Sequence, residues 1–247
     1  MPAGRKAAAT RAFATPPWPG PTIPPMGTLY LVRHGQASFG TDDYDRLSPL
    51  GQRQCAALGE WMSSRGLRFE AVLRGTLRRH RESLQAIAGA LPGLPEAIEW
   101  PGLDEYDSEA VVRTVHDGPL VPARDPETVR QHFRLLREGL LRWMAGQAQP
   151  AGMPSWADFR AGVEAALDLV RSRFDGDVLL VSSGGPIATA VGGVLGAPHA
   201  SVVELNMRIR NSALSEFVFT RKRHALLSFN TLPHLDHPER RGWHSYA

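Results

Sequence analysis

Cysteine is almost absent from this chain, which has 247 residues and a single cysteine, Cys55. One cysteine excludes an intrachain disulfide and a cysteine-based zinc site, and it favours a reducing compartment, so we expect a cytoplasmic protein. No apolar run approaches the roughly 20 residues that span a bilayer, so no membrane partner is expected. No group of His, Asp and Cys has the spacing of metal ligands, and the sequence predicts no metal and no other cofactor.

An excess of charge of one sign is also missing over most of the chain. Basic residues outnumber acidic ones by 28 to 25, and the three extra charges correspond to Arg5, Lys6 and Arg11 in an N-terminal segment without acids. The remaining chain carries 25 basic and 25 acidic residues. Nucleic-acid binding needs a clustered basic face, so the balanced charge argues against a nucleic-acid partner.

The N-terminal segment, residues 1–25, is rich in Ala, Pro and Thr and has no period that would bury one face. We expect a disordered extension. No apolar core follows Lys6, which argues against a signal peptide, although an arginine-bearing transit peptide stays an alternative. Met26 precedes the first predicted strand and is a second candidate for the start. Residues 26–247 are long enough for one catalytic domain, for which a homodimer is one possible assembly.

The most informative segment is Leu29–Gln36, where an apolar strand runs directly into Arg33, His34 and Gly35. A glycine turn after a strand delivers the two preceding side chains and the backbone N–H groups, that of Gly35 included, to the carboxyl edge of a sheet. Open α/β folds bind their ligands there. Arg33 can hold a phosphoryl group through a bidentate fork while the His34 imidazole attacks phosphorus. The competing interpretation is a hydrogen-bonded structural histidine.

These residues resemble the opening of the histidine phosphatase superfamily, the phosphoglycerate mutase-like proteins. The resemblance continues through Tyr44–Gln54, since the family has a similar Leu-Ser/Thr-x-x-Gly-x-x-Gln run. In this chain Ser48 is a natural N-cap for a helix with Pro49 in its first turn. The resemblance implies a three-layer α/β fold with a mainly parallel central sheet and helices on both faces, over about residues 27–235. It also implies a phosphohistidine on His34 and a small phosphorylated substrate.

An arginine cluster opens the second predicted helix. Family members commonly read Ser-x-Leu-x-Arg-Ala-x-Gln-Thr-Ala, and the corresponding stretch of this chain is GTLRRHRESL. Matching the leucine to Leu77 places the phosphate-binding arginine at Arg79. Arg78 and Arg81 are its rivals, and both are also explained as solvated helix charges. Gly75 takes the place of the usual serine, so a hydroxyl contact is lost while the turn is kept.

A candidate proton donor follows in residues 102–106, which are similar to the family's Leu-x-Glu motif. Aligned on Leu103, the acid is Glu105, and Asp104 and Asp107 are its neighbouring competitors. An alkoxide is a poor leaving group, so a carboxylic acid that protonates the bridging oxygen removes much of the difficulty. Further along, residues 126–145 have the apolar period of a helix, which we expect to belong mostly to the core and which could also form a lid over the site.

The strand predicted around residues 177–187 departs from the apparent family. Catalytic members usually have a second histidine followed by Gly-Gly, and this chain has Ser183, Gly184 and Gly185. A serine can donate one hydrogen bond to a phosphoryl oxygen but carries no positive charge, so catalysis weaker than in the family is expected. The free amides that begin the next helix, at Gly184 and Gly185, still suit an anion.

Two explanations of Ser183 stay open at this stage. Either a further group completes the site, or the protein is a divergent pseudoenzyme that binds a phospholigand without efficient turnover. His80 lies beside Arg79 in the sequence, and His234 lies in a tail whose Asn-x-x-x-His-Leu ending looks recurrent among bacterial relatives. A metal-independent phosphatase is the function that these residues favour, with a mutase as the alternative within the enzyme class. Ser183→His is expected to raise turnover unless another group already fills the role.

Overall fold

The computed structural model describes residues 27–38, 45–119 and 125–246. Its six strands are β1 (Gly27–Arg33), β2 (Ala71–Arg74), β3 (Ala97–Glu99), β4 (Val178–Ser182), β5 (Leu214–Thr220) and β6 (Arg223–Thr231). Its seven α-helices are α1 (Pro49–Ser64), α2 (Arg78–Ala90), α3 (Ser108–Arg113), α4 (Pro126–Met144), α5 (Trp156–Arg173), α6 (Gly184–Leu195) and α7 (His199–Arg208). The predictions for residues 1–25 and for Met26 lie outside the described residues.

All six strands form one sheet in the order β3-β2-β4-β1-β5-β6. The four strands from β3 to β1 are paired in parallel, whereas β5 is antiparallel to β1 and β6 is antiparallel to β5. Helices pack on both faces of this sheet, so the predicted three-layer α/β fold with a mainly parallel sheet is confirmed. No helix in these described stretches has both the length and the apolar character needed to cross a membrane.

The alternating side chains of β1 explain the two cores. Leu29 and Leu31 point to the face where α4, α5 and α6 pack, and both belong to its apolar cluster. Tyr30 and Val32 point to the other face and pack with residues of α1 and α2. Because successive side chains of a strand project to opposite faces, a strand buried on both sides has the continuous apolar sequence seen here.

Local signals in the sequence account for several elements. The Ser48 hydroxyl accepts a hydrogen bond from the Gly51 amide at 3.0 Å, and Pro49 occupies the first helical position, so the predicted start of α1 is confirmed. The strands β5 and β6 form a hairpin at the edge of the sheet, joined at residues 220–223. The sequence did not indicate β3, α3 or α7, which have only 3, 6 and 10 residues.

Candidate active site

The loop that follows β1 lies at the carboxyl edge of the parallel strands and is held from both sides. The His34 amide donates to the Ser182 carbonyl of β4 at 2.9 Å, and the Ser212 amide donates to the His34 carbonyl at 3.0 Å. Gly35 has no room for a side chain, because a Cβ there would lie 2.5 Å from the Gly51 carbonyl oxygen. The loop therefore packs directly against the first turn of α1.

The start of α1 also fixes the residue after this loop. The Gln36 amide donates to Oε1 of Gln54 at 2.9 Å, and the Ser48 hydroxyl donates to Oε1 of Gln36 at 2.8 Å. Nε2 of Gln54 in turn donates to the Trp243 carbonyl at 2.5 Å and to the Ser245 hydroxyl at 3.0 Å. The Leu-Ser-x-x-Gly-x-x-Gln run thus connects the loop to the C-terminal segment.

The imidazole of His34 has a defined tautomer. Nδ1 lies 2.7 Å from the Gly35 carbonyl oxygen, and a carbonyl only accepts, so Nδ1 carries the proton and Nε2 keeps its lone pair. Burial holds the pKa of His34 well below 6.5, and the nearby Arg79 and Arg33 cations lower it further. The side chain is therefore neutral at neutral pH, as a nitrogen nucleophile must be.

Two arginines share the cavity with this imidazole. Nη1 of Arg33 donates to the Ile209 carbonyl at 2.5 Å and to the Tyr246 carbonyl at 2.6 Å, which fixes the direction of its guanidinium. Nη1 of Arg79 donates to Oδ1 of Asp45 at 2.6 Å, and the side chain of Arg79 is buried.

The rival arginines on α2 lie elsewhere. Arg78 pairs with Glu82 at 2.6 Å one turn further along the helix, and Arg81 is exposed. Neither side chain lines the cavity that Arg33 and Arg79 share. The geometry therefore places Arg79, of the three arginines at the start of α2, beside His34.

Glu105 is the carboxyl group of this cavity. The Gly185 amide, in the first turn of α6, donates to its two carboxylate oxygens at 3.0 and 3.2 Å. Burial raises the pKa of Glu105, and the opposing effects of Arg79, the Gly185 amide and Arg33 are smaller, so the carboxyl keeps its proton to higher pH than an ordinary glutamate. The Gly185 amide, expected to face a phosphate, is thus engaged by this carboxylate.

The acidic neighbours of Glu105 have other partners. Asp107 is the N-cap of α3 and accepts from the Glu109 and Ala110 amides. Asp104 accepts from the Thr76 amide at 2.6 Å and from the Thr76 hydroxyl at 2.5 Å. Neither aspartate lines the cavity.

The cavity has a volume of about 280 Å³ and an apolar wall. Residues of α4, expected to belong mainly to the core, form one side of it. Residues between positions 206 and 246 also line it. These additional lining residues are Tyr106, Ser108, Val129, His132, Phe133, Leu136, Asn206, Met207, Ile209 and Tyr246. The α4 residues among them are spaced three or four positions apart, and this helical period is the only sequence signal that points to them.

Ser183 is fully buried at the N-cap of α6 and does not line the cavity. Its hydroxyl oxygen lies 2.7 Å from Nε2 of His80, which is also fully buried. The ring centroids of His80 and His34 are 5.8 Å apart. The structure therefore brings a second imidazole next to the predicted nucleophile, from α2 rather than from the end of β4.

The two remaining candidates differ in position. Gly184 begins α6, and a Cβ there would lie 2.8 Å from Oδ1 of Asn206 and 3.7 Å from Oε2 of Glu105, so this residue adjoins the cavity. His234 does not line the cavity. It is buried, with Nε2 2.9 Å from the Ser212 hydroxyl. Within the described ranges, no group of three or more His, Cys, Asp or Glu residues could hold a metal ion.

A family model described as histidine phosphatase superfamily (branch 1) matches residues 29–232. The sequence is 32% identical over 71 residues, 28% of this chain, to the mitochondrial serine/threonine-protein phosphatase PGAM5 of Xenopus tropicalis. The Xenopus laevis protein of the same name is 33% identical over 66 residues. These alignments cover 26% and 24% of the two relatives, so the chain spans about a quarter of their length.

Solved structures share the fold at low sequence identity. A variant of the Entamoeba histolytica phosphoserine phosphatase, in complex with phosphoserine, has a TM-score of 0.58 and 21% identity, and the match covers 85% of this chain and all of that one. The mycobacterial glucosyl-3-phosphoglycerate phosphatase has a TM-score of 0.60 and 22% identity, with 83% and 99% covered. YhfR from Bacillus stearothermophilus has a TM-score of 0.62 and 17% identity, with 84% and 98% covered.

Proposed function

The chain belongs to branch 1 of the histidine phosphatase superfamily, and on that basis we propose that it is a phosphoric monoester hydrolase with His34 as its nucleophile. The observation that carries this proposal is the hydrogen bond from Nδ1 of His34 to the Gly35 carbonyl. It fixes Nε2 as the unprotonated nitrogen in a cavity that also contains Arg33, Arg79 and Glu105. The cavity thus contains a nucleophile, two arginines that can bind an anion, and a carboxylic acid.

In the first half-reaction, Nε2 of His34 attacks the phosphorus atom of a monoester. The P–N bond forms as the P–O bond to the leaving group breaks, and the leaving oxygen takes the proton of Glu105. The raised pKa of Glu105 supports this role, because the carboxyl is more often protonated at neutral pH than an ordinary glutamate. The phosphoenzyme and the free alcohol are the products of this step.

In the second half-reaction, water attacks the phosphohistidine. The Glu105 carboxylate takes a proton from the water as its oxygen bonds to phosphorus, the P–N bond breaks, and Nε2 of His34 regains its lone pair. Inorganic phosphate then leaves, and Glu105 is again protonated. The same carboxyl group serves as acid and then as base, so one residue suffices for both proton transfers.

The apolar wall of the cavity bears on the substrate class. Val129, Phe133 and Leu136 of α4, together with Met207 and Ile209, line the same cavity as the charged groups. A leaving group with apolar or aromatic surface would bury that surface against them, at about 25 cal/mol per Å². We therefore propose small phosphomonoesters with an apolar or aromatic leaving group as the preferred substrates.

A panel of esters tests this proposed function. We expect release of inorganic phosphate, in equal amounts with the alcohol, from p-nitrophenyl phosphate and phenyl phosphate. We expect a kcat/KM about tenfold lower for glycerol phosphate, since a buried phenyl ring contributes one or more kcal/mol. Transfer of phosphate to a glycerate acceptor instead of water would indicate a mutase. Binding of phosphate without release of alcohol from any ester would indicate a pseudoenzyme.

Arginine, rather than a metal ion, neutralises the phosphoryl charge in this proposal. Arg79→Ala should lower kcat/KM about a hundredfold, because it removes preorganised donors from a developing anion. Arg81→Ala, an exposed arginine on the same helix, is the matched control and should change kcat/KM less than twofold. Turnover should also be unchanged after treatment with EDTA. Equal losses in both variants, or loss on chelation that a divalent ion restores, would refute the arginine clamp.

A further inference from the structure

His80 joins two polar groups that are far apart in the sequence. Nε2 of its imidazole lies 2.7 Å from the hydroxyl oxygen of Ser183, 103 residues away. Nδ1, on the other side of the ring, lies 3.7 Å from Oδ1 of Asp104, slightly beyond a hydrogen bond. Asp104, His80 and Ser183 therefore form a row across the carboxyl edge of the sheet, with the imidazole in the middle.

Burying this row destabilises the folded protein, which argues against an incidental contact. The imidazole of His80 is fully buried, and its Nδ1 has no hydrogen-bond partner among the residues described. A buried polar atom without a hydrogen-bond partner destabilises the folded state. The row also requires a glycine at position 75, because a Cβ on Gly75 would lie 2.3 Å from Nδ1 of His80 and 2.5 Å from Oδ1 of Asp104.

The row ends beside the reacting groups. The His80 ring lies 5.8 Å, centroid to centroid, from the His34 ring, and Arg79 precedes it on α2. Ser183 directly precedes Gly184. A Cβ added to Gly184 would lie 3.7 Å from a Glu105 oxygen and 3.9 Å from Nε of Arg33. A positive charge on His80 would therefore lie close to His34 and to the groups around Gly184.

We propose that Asp104, His80 and Ser183 form a relay that supplies positive charge to the phosphoryl group transferred in the function proposed above. His80 is a positioning residue in this relay. When a phosphoryl dianion occupies the cavity, His80 takes up a proton from solvent. Its Nδ1–H then points to Asp104 and its Nε2–H donates to Ser183. The Ser183 hydroxyl, which does not line the cavity before the phosphoryl group binds, turns its freed proton toward a phosphoryl oxygen bound beside Gly184.

The charges around His80 fit such a switch. Burial lowers the pKa of His80 and the Arg79 cation adds to that effect, while Asp104 and Asp45 oppose it. Burial raises the pKa of Asp104, but the facing His80 imidazole and the hydrogen bonds from Thr76 lower it by more, so this carboxylate stays ionised. An incoming dianion adds negative charge beside His34 and favours the imidazolium form of His80.

The relay changes the expectation for Ser183. A serine alone carries no charge, and catalysis weaker than in the family was therefore expected. With His80 behind it, Ser183 supplies the contact and the imidazole supplies the charge. Ser183→His by itself should then fail to raise turnover, because its side chain would meet the ring that lies 2.7 Å from the serine hydroxyl.

Nitrogen NMR of the intact protein tests the relay without any need for turnover. The probe is orthovanadate, a phosphate mimic, added to protein labelled with ¹⁵N-histidine, with His80→Gln used to assign the signal. We expect both ring nitrogens of His80 to move to imidazolium shifts when vanadate binds. Vanadate binding with His80 still neutral would overturn the relay while leaving the proposed function intact. Failure of vanadate to bind would contradict both.

Kinetics of matched variants give an independent measurement. His80→Gln keeps a polar side chain but cannot be protonated, and we expect kcat to fall about a hundredfold and the pH dependence that belongs to His80 to disappear. His224→Gln changes another histidine that packs away from the site, against Phe217 and Phe219, and should leave kcat within twofold. A kcat for His80→Gln within threefold of wild type would overturn the relay.

A further kinetic test moves the imidazole from position 80 to position 183. His80→Ala should lose about a hundredfold in kcat, and adding Ser183→His to it should recover at least tenfold, although Ser183→His alone is not activating. Thermal unfolding of each variant separates loss of folding from loss of charge. If the double variant is no better than His80→Ala while both unfold at the same temperature, the charge of His80 does not reach the phosphoryl group.

Discussion

Replacement of His34 by alanine is expected to abolish hydrolysis. We expect kcat to fall by at least about ten-thousand-fold, the scale seen when a covalent nucleophile is removed from an enzyme. The reason is that Nε2 of His34 is the atom to which phosphorus bonds, and the Nδ1 contact with Gly35 gives that nitrogen its lone pair. Orthovanadate should still bind to His34→Ala, since Arg33 and Arg79 stay in the cavity.

The control for this variant is His237→Ala, which removes an exposed histidine in the C-terminal segment and should leave kcat unchanged. A further arm uses free imidazole, which fits the space left in His34→Ala and should restore part of the activity with an activated ester. If His34→Ala kept more than a tenth of the wild-type kcat, His34 would be a structural histidine and the proposed mechanism would be wrong.

Replacement of Glu105 by glutamine is expected to have an effect that depends on the leaving group. For an alkyl phosphate, kcat should fall about 10²–10⁴-fold, because the alkoxide leaves unprotonated. For p-nitrophenyl phosphate the first step needs no acid, so loss should be confined to the hydrolysis of the phosphoenzyme, and a burst of nitrophenol should precede slow turnover. The measurement is a rapid-mixing time course with both esters.

The pH profile of the same variant gives a second readout. The Glu105 carboxyl has a raised pKa, so formation of the phosphoenzyme from an alkyl ester should persist to higher pH than an ordinary glutamate would allow, and then decline as the carboxyl ionises. Glu105→Gln should lose that alkaline decline. Asp107→Asn, which changes a helix cap outside the cavity, should keep it. Equal losses for both esters in Glu105→Gln would contradict the role of proton donor.

Much of this site could be predicted because its residues follow local rules. Arg33, His34 and Gly35 come directly after an apolar strand, and a strand of this kind ends at the ligand-binding edge of a parallel sheet. Arg79 and Glu105 were chosen among neighbours by alignment on Leu77 and Leu103. The structure places both chosen residues in the cavity with His34. Short-range patterns of this type need no knowledge of the tertiary contacts.

The relay could not be predicted in the same way, because it depends on contacts between distant segments. His80 stands where relatives commonly have alanine, Gly75 where they have serine, and Ser183 where they have histidine. Each change is ambiguous alone. The structure shows that His80 and Ser183 are in contact and that Gly75 leaves the space for His80. The part of α4 in the apolar wall stayed undecided for a related reason, since Phe133 and Leu136 have the same helical period whether they face a core or a cavity.

Chemical identification of the phosphoenzyme tests the central claim most directly. The wild-type protein is mixed with a ³²P-labelled monoester, quenched within one turnover, and divided between acid and base before peptide mapping. We predict label that is lost in acid, survives base and maps to the peptide that contains His34, since a phosphoramidate has that stability. Label that survives acid and maps to Ser182 or Ser183, or an active protein that never becomes labelled, would contradict the account.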